Sequence, residues 1–143
     1  MQLEASILIR APRARVFALY ADYTGWPRLF GRTIRGVRLL GERGETQTLE
    51  VDHVEGRVVN RMTLRPPAEI RLEEHKRRYD ALFSNRFDVD PAGTRYTLWA
   101  EVRIRGWLRL LSPVAGHVAR RQIRRFVLEP LKQAAEQLEP LRR

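Results

Sequence analysis

The sequence lacks cysteine altogether and contains almost no lysine. Without cysteine the chain can form no disulfide, no thiolate nucleophile and no thiolate metal site. It also has no run of about 18 apolar residues, so we expect no transmembrane helix. Its first residues, MQLEASILIRAP, lack the basic start of a secretory signal. Together these absences favour a cytoplasmic protein.

The basic residues are nearly all arginine. Lysine and arginine together number 27 against 17 aspartates and glutamates, which gives a formal net charge of +10. This charge favours an anionic partner, such as a phospholipid surface, a nucleic acid or an acidic carrier protein. The length of 143 residues and the ordinary hydrophobic fraction of 43% predict a single domain over residues 1–143.

The beginning of the chain predicts one strand followed by two short helices. Residues 2–10 alternate between apolar and polar side chains, which is typical of a half-buried strand. Pro12 suits the first turn of a helix, whose apolar stripe lies within residues 16–20. The segment WPRLF, residues 26–30, then predicts a second short helix or turn with Pro27 near its start.

The rest of the chain predicts a meander and one long helix. From about residue 33 to residue 104 the apolar period is two, which indicates about six antiparallel strands. Ser112 and Pro113 are typical of a helix start, and Pro130 should kink that helix. Its predicted apolar face comprises Ala115, Ala119, Ile123, Phe126, Val127, Leu131, Ala134 and Leu138.

One long helix is available to cover the apolar face of a large sheet. We therefore expect the sheet to curve around this helix and to leave space between them, with the two short helices plugging one end. In this arrangement the bulky side chains of WPRLF, residues 26–30, close the mouth of a cavity.

The stretch ASILIRAPRARVFALYADYTGWPRLF, with the meander and terminal helix behind it, resembles the helix-grip superfamily. This superfamily groups START lipid-transfer domains, birch-pollen-allergen-like proteins, bacterial polyketide cyclases and coenzyme Q-binding proteins. The sequence is most similar to the polyketide cyclase/dehydrase and coenzyme Q-binding groups. The resemblance implies an α+β helix-grip fold, in which a curved antiparallel sheet of about seven strands wraps around a long C-terminal helix.

The resemblance also implies a deep apolar cavity that binds or carries a hydrophobic small molecule. Some members are aromatases or cyclases, whose pockets fold a polyketide chain, and many are non-catalytic carriers. We match no catalytic residue of the cyclases to a position in this chain, and we expect no cofactor.

Polar side chains on otherwise apolar strand faces are candidates to orient a ligand. They are His53, Asn85 and, on a weaker face assignment, Asn60. Each is alternatively a core polar group bonded to its neighbours, or lies in solvent if the register is shifted by one residue. The predicted apolar lining comprises Trp26, Phe30, Val51, Met62, Phe83, Phe87, Tyr96 and Phe126. For these residues plain core packing is an equally good interpretation.

The signals for catalysis and for metal binding are weak. His53 is the best candidate for a general acid or base, and Glu74 is a second if its strand is bulged. We expect His75 at the surface and His117 near the start of the long helix. The three histidines lack the spacing of a metal site, so none is predicted.

Residues 102–128 contain seven arginines and no acidic residue. An apolar loop beside a basic helix face suits docking on an anionic bilayer, where each surface arginine adds about 1 kcal/mol. The predicted docking surface comprises Trp107, Arg109, Arg120, Arg121, Arg124 and Arg125. The alternative is a solvated helix face beside a buried loop. RNA binding is a further reading, although no nucleic-acid-binding motif accompanies these arginines.

The sequence leaves three functions open. The one we favour is a binding module that sequesters or delivers a hydrophobic ligand, such as a quinone, a lipid, a polyketide or an isoprenoid. The second is an aromatase or cyclase of the polyketide type, which uses the same cavity with His53 as its acid or base. The third is a protein that docks on a membrane or on RNA through its arginines.

Overall fold

The computed structural model describes residues 1–76, 79–106 and 112–137, and the side chains of residues 112–115 fall outside the description. Its strands are β1 (Gln2–Ile9), β2 (Ile34–Arg43), β3 (Thr46–His53), β4 (Gly56–Arg65), β5 (Glu69–His75), β6 (Tyr79–Asp90) and β7 (Gly93–Ile104). Its helices are α1 (Arg13–Ala21), α2 (Trp26–Leu29), α3 (Ser112–Ile123) and α4 (Glu129–Gln137). Within the described ranges no helix combines the length and the apolar character needed to span a bilayer.

All the strands belong to one antiparallel sheet with the order β1-β7-β6-β5-β4-β3-β2. Strands β2 to β7 form a meander of consecutive hairpins, and β1 adds to its far edge by pairing with β7. The described helices contact the concave face of this sheet. The predicted order of one strand, two short helices, six strands and a C-terminal helix is confirmed.

The turn between β6 and β7 is fixed against the start of the chain. Gly93 has a φ of +142°, and a Cβ at this position would lie 2.2 Å from the carbonyl oxygen of Ile9. Beside it, the buried Thr94 hydroxyl donates a hydrogen bond of 2.7 Å to the carbonyl of Ala11. Only glycine tolerates this combination of dihedral and close approach. The turn at residues 90–93 therefore fixes the position of the segment that leads from β1 into α1.

A single 3₁₀ turn, Tyr23–Gly25, joins α1 to α2. The Asp22 side chain begins this turn because its Oδ1 accepts hydrogen bonds from both the backbone N–H and the hydroxyl of Thr24. Pro27 occupies the first turn of α2, where its missing N–H has no helical partner to lose. The short helix predicted at WPRLF is therefore present, and it is one turn long.

Helices α3 and α4 are joined by a π-helical turn over Arg124–Leu128. Pro130 explains its position: proline has no N–H to donate, and its ring crowds the carbonyl four residues earlier, at Phe126. A π turn accommodates one extra residue and relieves this crowding. The irregularity predicted from Pro130 thus takes the form of an inserted residue.

The inserted residue changes which face of the helix is buried. Ala119 and Ile123 before the turn and Val127 within it pack against the core, as a spacing of four predicts. From the last residue of the turn onward, the buried residues are Leu128, Leu131 and Ala135. The prediction of Phe126 and Ala134 on the buried face was wrong, since neither packs against the core as Ala119, Ile123 and Val127 do. A regular helix was assumed through the turn. The predicted face positions Ala115 and Leu138 lie outside the described side chains.

Candidate functional site

A cavity of about 210 Å³ lies between the sheet, the segment from Tyr20 to Ile34 and the C-terminal helix. The sheet contributes five apolar side chains to its wall: Val51, Val58, Leu72, Phe83 and Leu98. The side opposite the sheet is formed by Ile34, at the start of β2, and by side chains of the helical segments: Tyr20, Trp26, Phe30, Ile123 and Val127. Four polar side chains complete the lining: Thr33, His53, Asn60 and Glu74.

Trp26 and Phe30 of the WPRLF segment both belong to the cavity wall. The indole Nε1 of Trp26 donates a hydrogen bond of 2.8 Å to the carbonyl of Tyr20, which fixes the ring at the end of α1. Trp26, Phe30 and Tyr20 then contact one another edge to face, with ring centroids 5.7 to 6.2 Å apart. Such pairs favour a rigid wall over a mobile one. The neighbouring Arg28 and Leu29 instead line an outer groove between α1, α2 and α4.

Five of the predicted ligand-contacting residues are not on the cavity wall: Phe126, described below, and four residues of the core. Met62, Asn85, Phe87 and Tyr96 are fully buried in the packed part of the core. The Phe87 ring stacks on Tyr96 at 5.1 Å and meets Phe17 of α1 edge to face at 5.7 Å. Strand periodicity identified the correct face for these side chains. It could not show that the aromatic rings of α1 fill the space above them.

Asn85 is bonded entirely within the protein. Its Nδ2 donates to the carbonyl of Ile70 at 3.1 Å, and its Oδ1 accepts from the Tyr96 hydroxyl at 2.5 Å. Burial raises the pKa of Tyr20 far above its ordinary value, and a hydrogen bond to Asn85 only partly offsets this effect. Burial likewise raises the pKa of Tyr96, so both hydroxyls stay neutral. Asn85 therefore has the geometry of a core polar group bonded to its neighbours.

Asn60 and Glu74 are neighbours on adjacent strands and both line the cavity. Strand β5 pairs in unbroken register with β4 and β6, so Glu74 follows Ile70 and Leu72 on the concave face at a period of two. The expectation that Glu74 would need a bulge to reach the cavity was wrong. The polar sequence EEHKRR gives no apolar alternation, although β5 continues to alternate between the two sheet faces up to His75.

His53 stands at the end of β3 and is half-buried. Its Nδ1 accepts a hydrogen bond of 3.2 Å from the backbone N–H of Glu55. In the neutral ring the proton therefore sits on Nε2, which can donate a hydrogen bond but cannot accept a proton. The ring is suited to hold an oxygen atom of a ligand, and less suited to act as a general base.

The remaining predicted site residues lie away from the cavity. Phe126 is half-buried beneath the guanidinium of Arg125, whose Cζ is 5.6 Å from the ring centroid. Arg120, Arg121 and Arg124 are exposed on the same helix, as is Arg125. Trp107 and Arg109 of the predicted docking surface lie outside the described residues. Within residues 1–76, 79–106 and 112–137, no three histidine or acidic side chains come together as metal ligands.

Sequence reasoning missed part of the lining. Val58, Leu72 and Leu98 share strand faces with Asn60, Glu74 and Tyr96, so the same periodicity could have identified them. Tyr20 was assigned only to the stripe of α1. Thr33 and Ile34 follow the helices at the start of β2, where no periodic signal precedes them.

Comparison with known proteins locates this chain among proteins of related sequence and fold. The sequence profile of a family described as polyketide cyclase / dehydrase and lipid transport matches residues 1–138. No curated protein matches the chain by sequence.

Several solved structures are similar to it. TTHA0849 from Thermus thermophilus has a TM-score of 0.78 at 15% identity, covering 93% of this chain and 95% of that one. The ZhuI aromatase/cyclase from Streptomyces sp. R1128 has a TM-score of 0.78 at 18% identity, covering 96% and 94%. A START superfamily protein from Mycobacterium smegmatis has a TM-score of 0.69 at 14% identity, covering 96% and 98%. At such low identities these likenesses show the fold alone, and it is the helix-grip fold expected above.

Proposed function

The chain belongs to the polyketide cyclase / dehydrase and lipid transport family, and from that premise we propose that its cavity binds or carries a hydrophobic small molecule. The observation that carries the proposal is the cavity of about 210 Å³ inside an otherwise buried core. Protein interiors are normally filled to the density of organic crystals. A space of this size with a mainly apolar wall therefore favours the binding of an apolar ligand.

The wall supplies affinity through burial rather than through charge. Each Å² of apolar surface that a ligand removes from water contributes about 25 cal/mol. The volume is below the roughly 300–1,000 Å³ of typical ligand pockets, which favours a compact ligand over a long chain. The few polar side chains in the wall would then fix its orientation.

Native mass spectrometry of freshly purified protein tests this proposal. We expect an apolar molecule to be retained, or an uncharged fluorescent probe such as N-phenyl-1-naphthylamine to bind to the emptied protein. Val58→Phe should abolish binding because Val58 points into the cavity. Val59→Phe is the matched control, since Val59 is exposed on the opposite face of β4. Absence of any bound molecule, with no uptake of the probe, would contradict the proposal.

Polyketide aromatisation or cyclisation in the same cavity is the second candidate. The likeness in fold to an aromatase/cyclase keeps this candidate in view. His53 would have to act as a donor through Nε2, because its Nδ1 is bonded to the backbone of Glu55. Turnover of an acyl-carrier-bound polyketide should then fall sharply in His53→Ala. Full activity of that variant would remove His53 from the mechanism.

Delivery to an anionic membrane is a third candidate, supported by the exposed arginines of the C-terminal helix. Among the described residues, Arg120, Arg121, Arg124 and Arg125 have no carboxylate partner. Reversing all four to glutamate should abolish co-sedimentation with phosphatidylglycerol vesicles. The control reverses arginines on the convex face of the sheet: Arg57, Arg61, Arg65 and Arg86. Binding that ignores both salt and the helix reversal would contradict this role.

A further inference from the structure

Two polar side chains lie side by side in the apolar wall of the cavity. Asn60 of β4 and Glu74 of β5 are directly opposite each other in the antiparallel register, so their side chains are neighbours on the same face of the sheet. Each is flanked along its own strand by apolar concave residues, Val58 and Met62 for Asn60 and Leu72 for Glu74. A polar pair at this place in a mainly apolar wall is positioned to orient a ligand that enters the cavity.

The amide of Asn60 lacks a partner within the described part of the protein. Asn60 is 7% exposed, and its side chain forms no hydrogen bond among the described residues. The contrast is with Asn85, whose amide bonds to both Ile70 and Tyr96. An amide that is buried at a cavity surface and left unbonded in the protein offers one donor group and one acceptor group to whatever enters.

Glu74 has one oxygen engaged and one open. Its Oε1 accepts a hydrogen bond of 2.8 Å from the Tyr79 hydroxyl and lies 4.0 Å from the Lys76 ammonium. Burial, and then the negative charge of Glu74, raise the pKa of Tyr79, so this hydroxyl remains a donor. The Oε2 atom has no hydrogen-bond partner among the described residues. A carboxylate oxygen only accepts, so a matching ligand must donate.

We propose that Asn60 and Glu74 form a hydroxyl-recognition site, which selects a compact uncharged alcohol or phenol over a hydrocarbon or a carboxylate of similar size. The ligand hydroxyl donates to Oε2 of Glu74, and its oxygen accepts from Nδ2 of Asn60. A hydrocarbon leaves both groups without a partner. A carboxylate ligand brings a second negative charge beside Glu74, and Lys76 is already shared with that residue and with the Tyr79 ring.

This inference rests on the proposed function, so its test uses three ligands that share one ring system. They are naphthalene, 2-naphthol and 2-naphthoate, and their dissociation constants for the full chain are measured by equilibrium dialysis at pH 7. We expect 2-naphthol to bind about tenfold more tightly than naphthalene, which is the effect of one hydrogen bond to a charged group. We expect 2-naphthoate to bind most weakly.

Two variants assign the effect to the named side chains. Asn60→Leu should lower the preference for 2-naphthol over naphthalene by about threefold, because the bond to Asn60 is lost while the bond to the charged Glu74 remains. Glu74→Gln should improve the binding of 2-naphthoate by removing the like charge. The control is Glu73→Gln, since Glu73 is on the opposite face of β5 and pairs with Arg61 at 3.7 Å. We expect its three constants to match those of the wild type.

The wild-type ligand series decides the proposal even if a variant fails to fold. Equal affinities for naphthalene and 2-naphthol would overturn the hydroxyl site and leave the carrier function intact. Tightest binding of 2-naphthoate would also overturn it, and would assign recognition to Lys76 instead. No binding of any of the three ligands would overturn the proposed function, and the hydroxyl site with it.

Discussion

The two halves of one concave sheet face behave differently. Where β6 and β7 meet α1, the face is packed solid: Phe87, Tyr96 and Phe17 form stacked and edge-to-face contacts. Where β3, β4 and β5 face the C-terminal helix, Val51 and Val58 border an open cavity. The strands of both halves alternate between buried and more exposed side chains. The difference comes from the helices, because α1 supplies aromatic rings to its half and the C-terminal helix supplies Ile123 and Val127 to the other.

The two buried asparagines repeat this contrast at the scale of a single side chain. Asn85, in the packed half, bonds to Ile70 and Tyr96. Asn60, beside the cavity, has no partner among the described residues. An asparagine on this face thus holds the packed half together through hydrogen bonds, whereas in the cavity half its amide is left open to a ligand. The neighbours, rather than the residue, decide the role.

The largest expected difference between the halves concerns their phenylalanines. Phe87→Ala should lower the free energy of unfolding by about 4 kcal/mol, because a fully buried ring leaves a cavity that rigid neighbours cannot fill. Phe83→Ala should cost about half as much, since Phe83 is half-buried and already borders the cavity. Urea denaturation followed by circular dichroism measures both. Equal losses would show that the two halves are packed alike.

The two asparagines provide a second test, because replacing Asn85 should lower the stability of the protein and replacing Asn60 should not. Asn85→Leu should destabilise the protein by about 2 kcal/mol, because the Ile70 carbonyl and the Tyr96 hydroxyl lose their buried partner. Asn60→Leu should be neutral within about 0.5 kcal/mol or stabilising, since it removes an unbonded amide. Thermal and urea unfolding compare the two variants. A loss at Asn60 as large as that at Asn85 would mean that its amide has a structural partner.

From the sequence alone, the packed half and the cavity half of the concave sheet face cannot be told apart. Alternation along β3 to β7 identified the concave face. Pro12 and Pro27, each in or next to the first turn of a helix, identified the two short helices. Five residues predicted to contact a ligand lie on the cavity wall: Trp26, Phe30, Val51, His53 and Phe83. That these residues contact a ligand stays a prediction. Periodicity could not separate them from Phe87 or Tyr96, because alternation carries no information on what packs above a strand.

Two features were hidden from the sequence for other physical reasons. The π turn over Arg124–Leu128 adds one residue to the helix, so a fixed 100° per residue assigned Phe126 in place of Leu128 to the core. The polarity of EEHKRR hid the alternation that carries Glu74 into the cavity. In the first case the local effect of Pro130 breaks the regular helical period. In the second, pairing with β4 and β6 keeps a polar residue on the concave face.

A smaller effect is expected when one methylene is added to each half. Val16→Ile should destabilise the protein by about 1 kcal/mol, because Val16 is fully enclosed in the packed half and the added carbon has no space. Val58→Ile should be neutral or slightly stabilising, since the added carbon enters the cavity. The same substitution should weaken binding of the apolar probe. Denaturation and probe titration of both variants check these outcomes, and similar losses of stability would contradict the comparison.

The smallest effect concerns the acid stability of the contact that holds α4 to the packed half. Glu136 Oε2 accepts from the backbone N–H of Arg10 at 2.9 Å and from Lys132 at 2.5 Å. Burial alone would raise the pKa of Glu136, but these two donors outweigh it and hold the pKa below its ordinary value of 4.5. A lowered pKa adds stability that is present above the ordinary value and is lost as the pH falls through the lowered one.

In Glu136→Gln the unfolding free energy should therefore fall less steeply as the pH is lowered below about 5. Above that pH its dependence on pH should change little. Glu69 gives the matched comparison on the sheet, because burial there is likewise outweighed by the Ser84 hydroxyl and by Arg71, which lower its pKa. The two carboxylates share no partner, so the flattening in the double variant should be the sum of the single effects. Urea denaturation across this pH range measures each slope. A Glu136→Gln slope identical to that of the wild type would show that this tether does not hold the helix in solution.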